Sequence, residues 1–251
     1  MGLGGTSPRH PNTKTMPFTF TSLSALLHHP EKDGKDLVGQ TVSTDTVFCR
    51  SLVSEGYLDE QQMRHAAACY RLGRSRDGAV VFWEIDDQQC IRDGKLMYYQ
   101  DDCHRDKSRN ATWVTARLKQ QRRLSLMFEP ERCLFGQHLL PKDLQQTVMV
   151  VEAEKTAVIC SELFPQSVWM AAGGQTMLNT AKLYPLRRHR VVLFPDTDET
   201  GQAYRQWKET ADTAQEFFEF PIRVSPILEE NATPAQKAAK IDIVDYLFEQ
   251  R

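Results

Sequence analysis

The residues of this chain best placed to do chemistry are acids that follow apolar runs. Glu152 comes directly after Val148-Met149-Val150-Val151, and Asp196-Thr197-Asp198 comes directly after Val191-Val192-Leu193-Phe194-Pro195. Asp242 and Asp245 form a third group in Lys240-Ile241-Asp242-Ile243-Val244-Asp245. Short valine-rich runs are the pattern of strands buried on both faces of a parallel sheet. Ligands of such sheets collect at the carboxyl ends of the strands. Carboxylates gathered there repel one another, and a hard divalent cation with oxygen ligands relieves the repulsion. On an extended segment Asp196 and Asp198 point to the same side and could share a Mg2+. Glu152 would face them from an adjacent strand, as a third ligand or as a general base for an attacking hydroxyl. Asp242 is a weaker candidate for a supporting ligand. The competing role for these acids is helix capping, because Glu152 and Asp198 each stand shortly before a predicted helix. One such acid alone would be assigned to a cap; three groups in this order favour the metal.

The elements that must position these acids change character along the chain. After Pro141 the pattern alternates strand and helix, as βαβ units require. Strands are predicted at 148–151, 168–171, 190–194 and 222–224, and helices at 156–164, weakly at 176–184, at 201–218 and from about Asp242. Gly173-Gly174 ends the second strand, and Lys155 opens the first helix, a position suited to phosphate. Upstream, residues 1–17 are rich in Gly, Pro, Thr and Ser and read as a disordered tail, followed by an apolar segment at 18–27. Asp59 can cap a helix running to about Cys69. Strands are predicted at 79–85, 90–92 and 95–99, with turns at Asp86-Asp87-Gln88 and Asp93-Gly94 and an edge at 112–114. The expected fold class is therefore α/β. A parallel, Rossmann-like sheet with helices on both faces occupies 141–251, and a small antiparallel α+β subdomain occupies 18–140.

With a net charge of −2, the whole chain neither attracts nor repels nucleic acid, so only local patches can speak. Arg105, Lys107, Arg109, Arg117, Lys119, Arg122 and Arg123 are opposed in their stretch only by Asp106, and Trp113 lies among them. Basic residues interleaved with an aromatic suit single-stranded nucleic acid, although a solvated charged face is the commoner outcome. Lys182, Arg187, Arg188 and Arg190 form a second patch. No apolar stretch approaches a membrane span, and the first residues lack the apolar core of a signal peptide, so the expected location is the cytoplasm. The six cysteines contain no C-x-x-C pair, which argues against a zinc ribbon.

Two segments resemble the motifs of the Toprim domain, a metal-binding module of bacterial-type primases, topoisomerases and some nucleases. Val150-Val151-Glu152-Ala153-Glu154-Lys155-Thr156-Ala157 stands where that family has a strand ending in Glu. Leu193-Phe194-Pro195-Asp196-Thr197-Asp198-Glu199-Thr200-Gly201 stands where it has a strand ending in D-x-D with a Gly soon after. Upstream, Val81 to Asp86, Arg92 to Tyr98 and Cys133 to Leu140 give the chain the layout of primase-like proteins of Bacteroidetes mobile elements, similar to DnaG-type primases. The resemblance implies a DNA-replication nucleotidyltransferase using Mg2+, with Mn2+ as a substitute, on single-stranded DNA and nucleotides. It assigns Glu152, Asp196 and Asp198 to catalysis and metal, with Asp242 in support. Lys155, Arg74, Arg92, Lys95, Lys107 and Arg109 fall to nucleic acid or phosphate. A separate helicase or zinc-module protein is implied as an optional partner, because neither a Walker A sequence nor the primase zinc region is present. Ala153 departs from the Gly of primases, and Pro195 removes a backbone donor at a strand end. A Toprim nuclease, using the same acids with water as nucleophile, and a catalytically silent nucleic-acid-binding protein are the alternatives.

Overall fold

The computed structural model describes residues 42–249, so the predicted tail at 1–17 and the apolar segment at 18–27 lie outside the described residues. The first described helix is α1 (Val47–Ser54), whose cap Thr46 accepts a hydrogen bond from the Cys49 N–H at 3.1 Å. Helix α2 (Glu60–Cys69) starts at Asp59 as expected. The Asp59 carboxylate accepts from the Gln62 N–H, and the Gln62 side chain accepts from the Asp59 N–H, a reciprocal capping box. Asp59→Ala should cost about 1 kcal/mol in a denaturant titration, since it orphans a first-turn donor.

An antiparallel sheet follows in the order β1 (Gly73–Arg74), β2 (Val80–Ile85), β3 (Ile91–Met97) and β4 (Thr112–Trp113). All six residues of β2 are buried. Phe82 and Val80 face the main core, while Val81, Trp83 and Ile85 face a second cluster closed by Leu118 and Leu124. Leu118 belongs to α3 (Val114–Gln120), a helix starting where the sequence suggested only an edge strand. The predicted turn at Asp93-Gly94 is instead the middle of one continuous strand, with Trp83 paired to Gly94 and Glu84 to Asp93. The indole of Trp83 lies over Gly94 so closely that a Cβ there would meet it at 2.7 Å. Asp93 is fully buried, accepting from the Thr115 hydroxyl at 2.7 Å and from Arg132 Nε at 3.2 Å. Gly and Asp are common turn residues; here one makes room for a ring and the other anchors α3.

The parallel sheet has the order β6-β5-β7-β8, from β5 (Val148–Val151), β6 (Val168–Ala171), β7 (Val191–Phe194) and β8 (Arg223–Val224). Its helices are α4 (Glu154–Leu163), α5 (Thr180–Leu183), α6 (Gln202–Ala214), α7 (Ile227–Asn231), α8 (Pro234–Ala239) and α9 (Ile243–Phe248). Side chains of a strand alternate between faces, and the two faces bury different partners. Val151, Trp169 and Ala171 pack with Ala157 to Cys160 of α4. Val148, Val150, Met170 and Leu193 pack with Trp207, Ala211 and Ala214 of α6. The architecture is thus a mixed α/β fold, a parallel sheet with helices on both faces preceded by an antiparallel sheet. The first face continues into Phe48, Phe82, Met97 and Phe135, so one core joins the two sheets. Tyr70 ties them further, its hydroxyl donating to the Trp169 carbonyl at 2.8 Å. Among the described residues, no helix is long and apolar enough to cross a membrane.

Candidate active site

The strand order decides where the acids meet. From β5 the chain crosses to β6 on one side, then returns to the other side of β5 as β7. Such a reversal opens a crevice at the carboxyl ends of the two strands. Val151 pairs with Phe194, so Glu152 and Pro195-Asp196 emerge side by side at that crevice. The Asp196 N–H donates to Glu152 Oε1 at 3.2 Å. Glu152 is only 6% exposed. Burial, reinforced by the charges of Asp198 and Asp242, pushes its carboxyl up to about 7, although the Asp196 N–H and Lys240 pull the other way. Burial and the neighbouring Glu152, Asp242 and Asp245 likewise hold Asp196 well above the usual carboxylate range, with Lys155 as the countercharge. Asp245 is raised too, by burial and by Asp242, and again Lys155 opposes the shift. Two of the predicted acids therefore stand together at high electrostatic cost, with Lys155 beside them.

Asp198 and Asp242 are committed differently. Asp198 accepts from the N–H groups of Thr200 at 2.8 Å, Gln202 at 3.2 Å and Ala203 at 2.7 Å, and from the Thr200 hydroxyl at 2.6 Å. Burial alone would raise its carboxyl, but these bonds outweigh it and hold the group below the ordinary range. Gly201 makes the turn possible with φ +66°, a conformation that favours glycine. Asp242 caps α9, accepting from the Val244 and Asp245 N–H groups at 2.8 and 2.9 Å, and it takes the Thr156 hydroxyl as well. Helix capping, weighed against metal binding from the sequence, is thus realised at Asp198 and Asp242. Glu152 caps nothing.

The basic candidates scatter. Lys95 donates to Glu154 at 3.1 Å and to the Gly173 carbonyl at 2.8 Å, bracing the turn after β6. Arg92 pairs with Asp86 at 2.7 Å, and Arg74 lies 3.8 Å from Asp45. Arg109 stacks 3.4 Å over the Tyr98 ring centroid and lies 3.8 Å from Asp77. Lys107 is exposed on the loop that lines a cavity with His104 and Arg105. The basic stretch is less unopposed than the sequence suggests, because Asp77, distant in sequence, takes Arg117 bidentately at 3.1 and 2.9 Å. Lys182, expected in a surface patch, is buried: its Nζ donates to the Ala172 carbonyl at 2.9 Å and lies 3.8 Å from Glu84. Burial pushes the Glu84 carboxyl up to about 8 in spite of Lys182. Sequence reasoning passed over Glu84; its signal was a lone acid inside the apolar run Val80-Val81-Phe82-Trp83-Glu84-Ile85.

A family model described as a domain of unknown function (DUF6371) matches residues 47–197. The chain belongs to that family. No curated protein matches the sequence. Among solved structures, the chain is similar to the primase fragment of the bacteriophage T7 primase-helicase protein, at 17% identity and a TM-score of 0.46 over 74% of this chain and 66% of that one. It is similar to the RNA polymerase domain of Mycobacterium tuberculosis primase DnaG, at 14% identity and a TM-score of 0.48 over 83% and 81%. It is also similar to the E. coli primase catalytic core, at 13% identity and a TM-score of 0.41 over 79% and 66%.

The stretch matched by the DUF6371 family takes in Glu152 and Asp196 and stops one residue short of Asp198. The donor set at these positions suits one cation type better than another. Among the described residues, no three His, Cys, Asp or Glu side chains form a geometry that would hold a metal ion. A closed, all-protein cage is therefore not what this arrangement offers. Mg2+ asks for less: one or two carboxylates, with waters and substrate phosphates completing its octahedron. Glu152 and Asp196, both driven toward protonation by burial and by neighbouring acids, fit that requirement. Asp198 would first have to release three backbone donors.

Proposed function

We propose that this DUF6371 member is a Mg2+-dependent, Toprim-type nucleic-acid enzyme of the primase kind, joining nucleotides on a single-stranded DNA template. The observation that carries the reading is the pairing of Glu152 with Asp196 at the crevice between β5 and β7, both carboxyls raised first by burial and then by neighbouring acids, Asp198 and Asp242 for Glu152, and Glu152, Asp242 and Asp245 for Asp196. Two crowded carboxylates without a metal are a cost; with Mg2+ they become ligands. The ion supplies charge for the phosphate oxygens and lowers the barrier to hydroxyl attack. Glu152 has two alternative roles here: a ligand beside Asp196, or, left unligated with its carboxyl pushed up to about 7 by burial, the base that accepts a proton from an attacking 3′-hydroxyl. Lys155, at the first turn of α4 and beside the acids, offers a countercharge for a phosphate at a helix N-terminus. Asp198 holds the loop that presents Asp196 and is kept as a third ligand only if it turns out of its cap; Asp242 fixes α9 against α4 through Thr156. Lys107 and Arg109 are the proposed contacts to the template strand. Nucleotides and single-stranded DNA are the proposed partners, a separate helicase or zinc-module protein an optional one, and Mn2+ a substitute ion.

The test is a gel assay of the full chain with single-stranded DNA, labelled nucleotides and Mg2+ or Mn2+. Primer-length products are expected. Shortened DNA would instead mark a nuclease using the same acids, and binding without turnover would mark a silent nucleic-acid-binding protein.

A further inference from the structure

Near the C-terminal end of α4, three side chains from two helices line up through hydrogen bonds. His65 and Cys69 lie one turn apart on α2, with Cys69 Sγ 3.4 Å from His65 Nε2. The other imidazole nitrogen, Nδ1, lies 2.8 Å from Glu162 Oε1 on α4. A carboxylate at Nδ1 selects the tautomer with the proton on that nitrogen, which leaves Nε2 as a base facing the thiol. The three roles of an activated nucleophile are therefore filled: thiol, base and orienting carboxylate. The site also has access, since the His65 side chain is 68% exposed and Cys69 is half-buried, whereas Glu162 is held at 10%. Four of the other five cysteines are buried; only Cys90 has comparable exposure.

We propose that Cys69, His65 and Glu162 form a nucleophilic thiol site that takes small, uncharged disulfides and becomes reversibly S-thiolated. In the step, the Cys69 S–H proton passes to His65 Nε2 as sulfur attacks one sulfur of the disulfide. A new S–S bond forms, the old one breaks, and the departing thiolate takes the proton back from the imidazolium. The protein thiol is oxidised and one half of the disulfide is reduced, so no further reactant is needed. Several groups bear on Cys69. Burial and the Glu162 carboxylate disfavour a free thiolate, as does the negative end of α2. His138 approaches from the 137–139 turn, its Nε2 3.0 Å from the Cys69 carbonyl. These make a resting thiolate costly and give the base its purpose: charge appears on sulfur only as the proton leaves for His65. The same negative surroundings select against anionic electrophiles.

The experiment treats the full chain with bis(2-hydroxyethyl) disulfide at pH 7 and maps the adducts by peptide mass spectrometry. Cys69 should react at least roughly tenfold faster than Cys90, in keeping with base activation of a thiol. His65→Ala, at an exposed position that leaves the fold intact, should remove that advantage, and added imidazole should restore much of it. Glu162→Ala should slow Cys69 severalfold, and Glu162→Gln, which still accepts from Nδ1, should recover part of the loss. Labelling of Cys69 no faster than Cys90, an unchanged rate in His65→Ala, or failure of imidazole to rescue would each overturn the proposal. The readout does not involve DNA, nucleotides or divalent ions, so it stands or falls apart from the proposed polymerase chemistry.

Discussion

Asp196→Ala is expected to lower primer synthesis by roughly 10³-fold or more, the scale on which losing one preorganised charge-stabilising group shows itself, while binding of single-stranded DNA stays within about twofold. The split follows from where Asp196 sits. It lies beyond the end of β7, half-buried against Glu152, and pairs with none of the exposed basic residues that would meet a DNA backbone. Its removal takes away a ligand for the ion without removing a phosphate contact. The fold should gain rather than lose. Because burial and three like charges hold the Asp196 carboxyl above its ordinary value, the folded state keeps a proton that the unfolded chain gives up. The stability tied to that proton is present in acid and is lost as pH rises through the raised folded value. At pH 8 the variant lacking the carboxyl should therefore melt no lower than the parent. Steady-state rates, filter binding and a melting curve on the same preparation test all three parts. A variant that keeps its activity would remove Asp196 from the mechanism; one that loses activity together with its fold would show a structural role.

The parallel half of the fold was legible because its strands are short, β-branched runs punctuated by acids and glycines, and its order follows from βαβ geometry. Val191 to Phe194 and the following Asp196 were placed by the same alternation that buries them. The antiparallel half was misread at Asp93-Gly94 because the tertiary reason for those residues lies far off in sequence, in Trp83, Thr115 and Arg132. The sequence predicts no element at 47–54, where β-branched Val47 and Val53 lower the local helix preference, and burial of Phe48, Cys49 and Leu52 makes it α1. At the site, residue types and order pointed to a carboxylate cluster, but spacing could not reveal how each acid is spent. Asp198 and Glu152 look alike in sequence. Only the turn through Gly201 brings three N–H groups onto Asp198, and only the sheet register aims Glu152 at the Asp196 backbone. Lys182 shows the opposite failure: a basic cluster in sequence need not be a surface in space, and this lysine runs inward to Glu84 and the Ala172 carbonyl.

The electrostatic tension at Glu152 gives a second large effect, read without any substrate. Its carboxyl rises from an ordinary 4.5 to about 7 on folding. Between those values the unfolded chain binds fewer protons than the folded one, so stability must fall as pH climbs through that window and level off above it. Asp198 acts in the opposite sense and in a different range: its carboxyl is depressed, so the stability it contributes is lost only as pH drops below the ordinary value of 3.8. Glu152→Gln keeps the shape and removes the charge. In divalent-free buffer at pH 8 it should be more stable than the parent by roughly 2 kcal/mol, with a flatter pH dependence between pH 5 and 7. Mg2+ or Mn2+ should then narrow the gap from the other side. A cation that binds only the folded form stabilises the parent by about 2.7 kcal/mol at a hundredfold excess over its dissociation constant, and the variant should gain far less. Thermal-shift titrations of the two proteins across pH, with and without each ion, separate the possibilities. A parent whose stability rises from pH 5 to 7 would refute the raised carboxyl. Equal cation stabilisation of parent and variant would move the metal away from Glu152, and with it the chemistry proposed for this crevice.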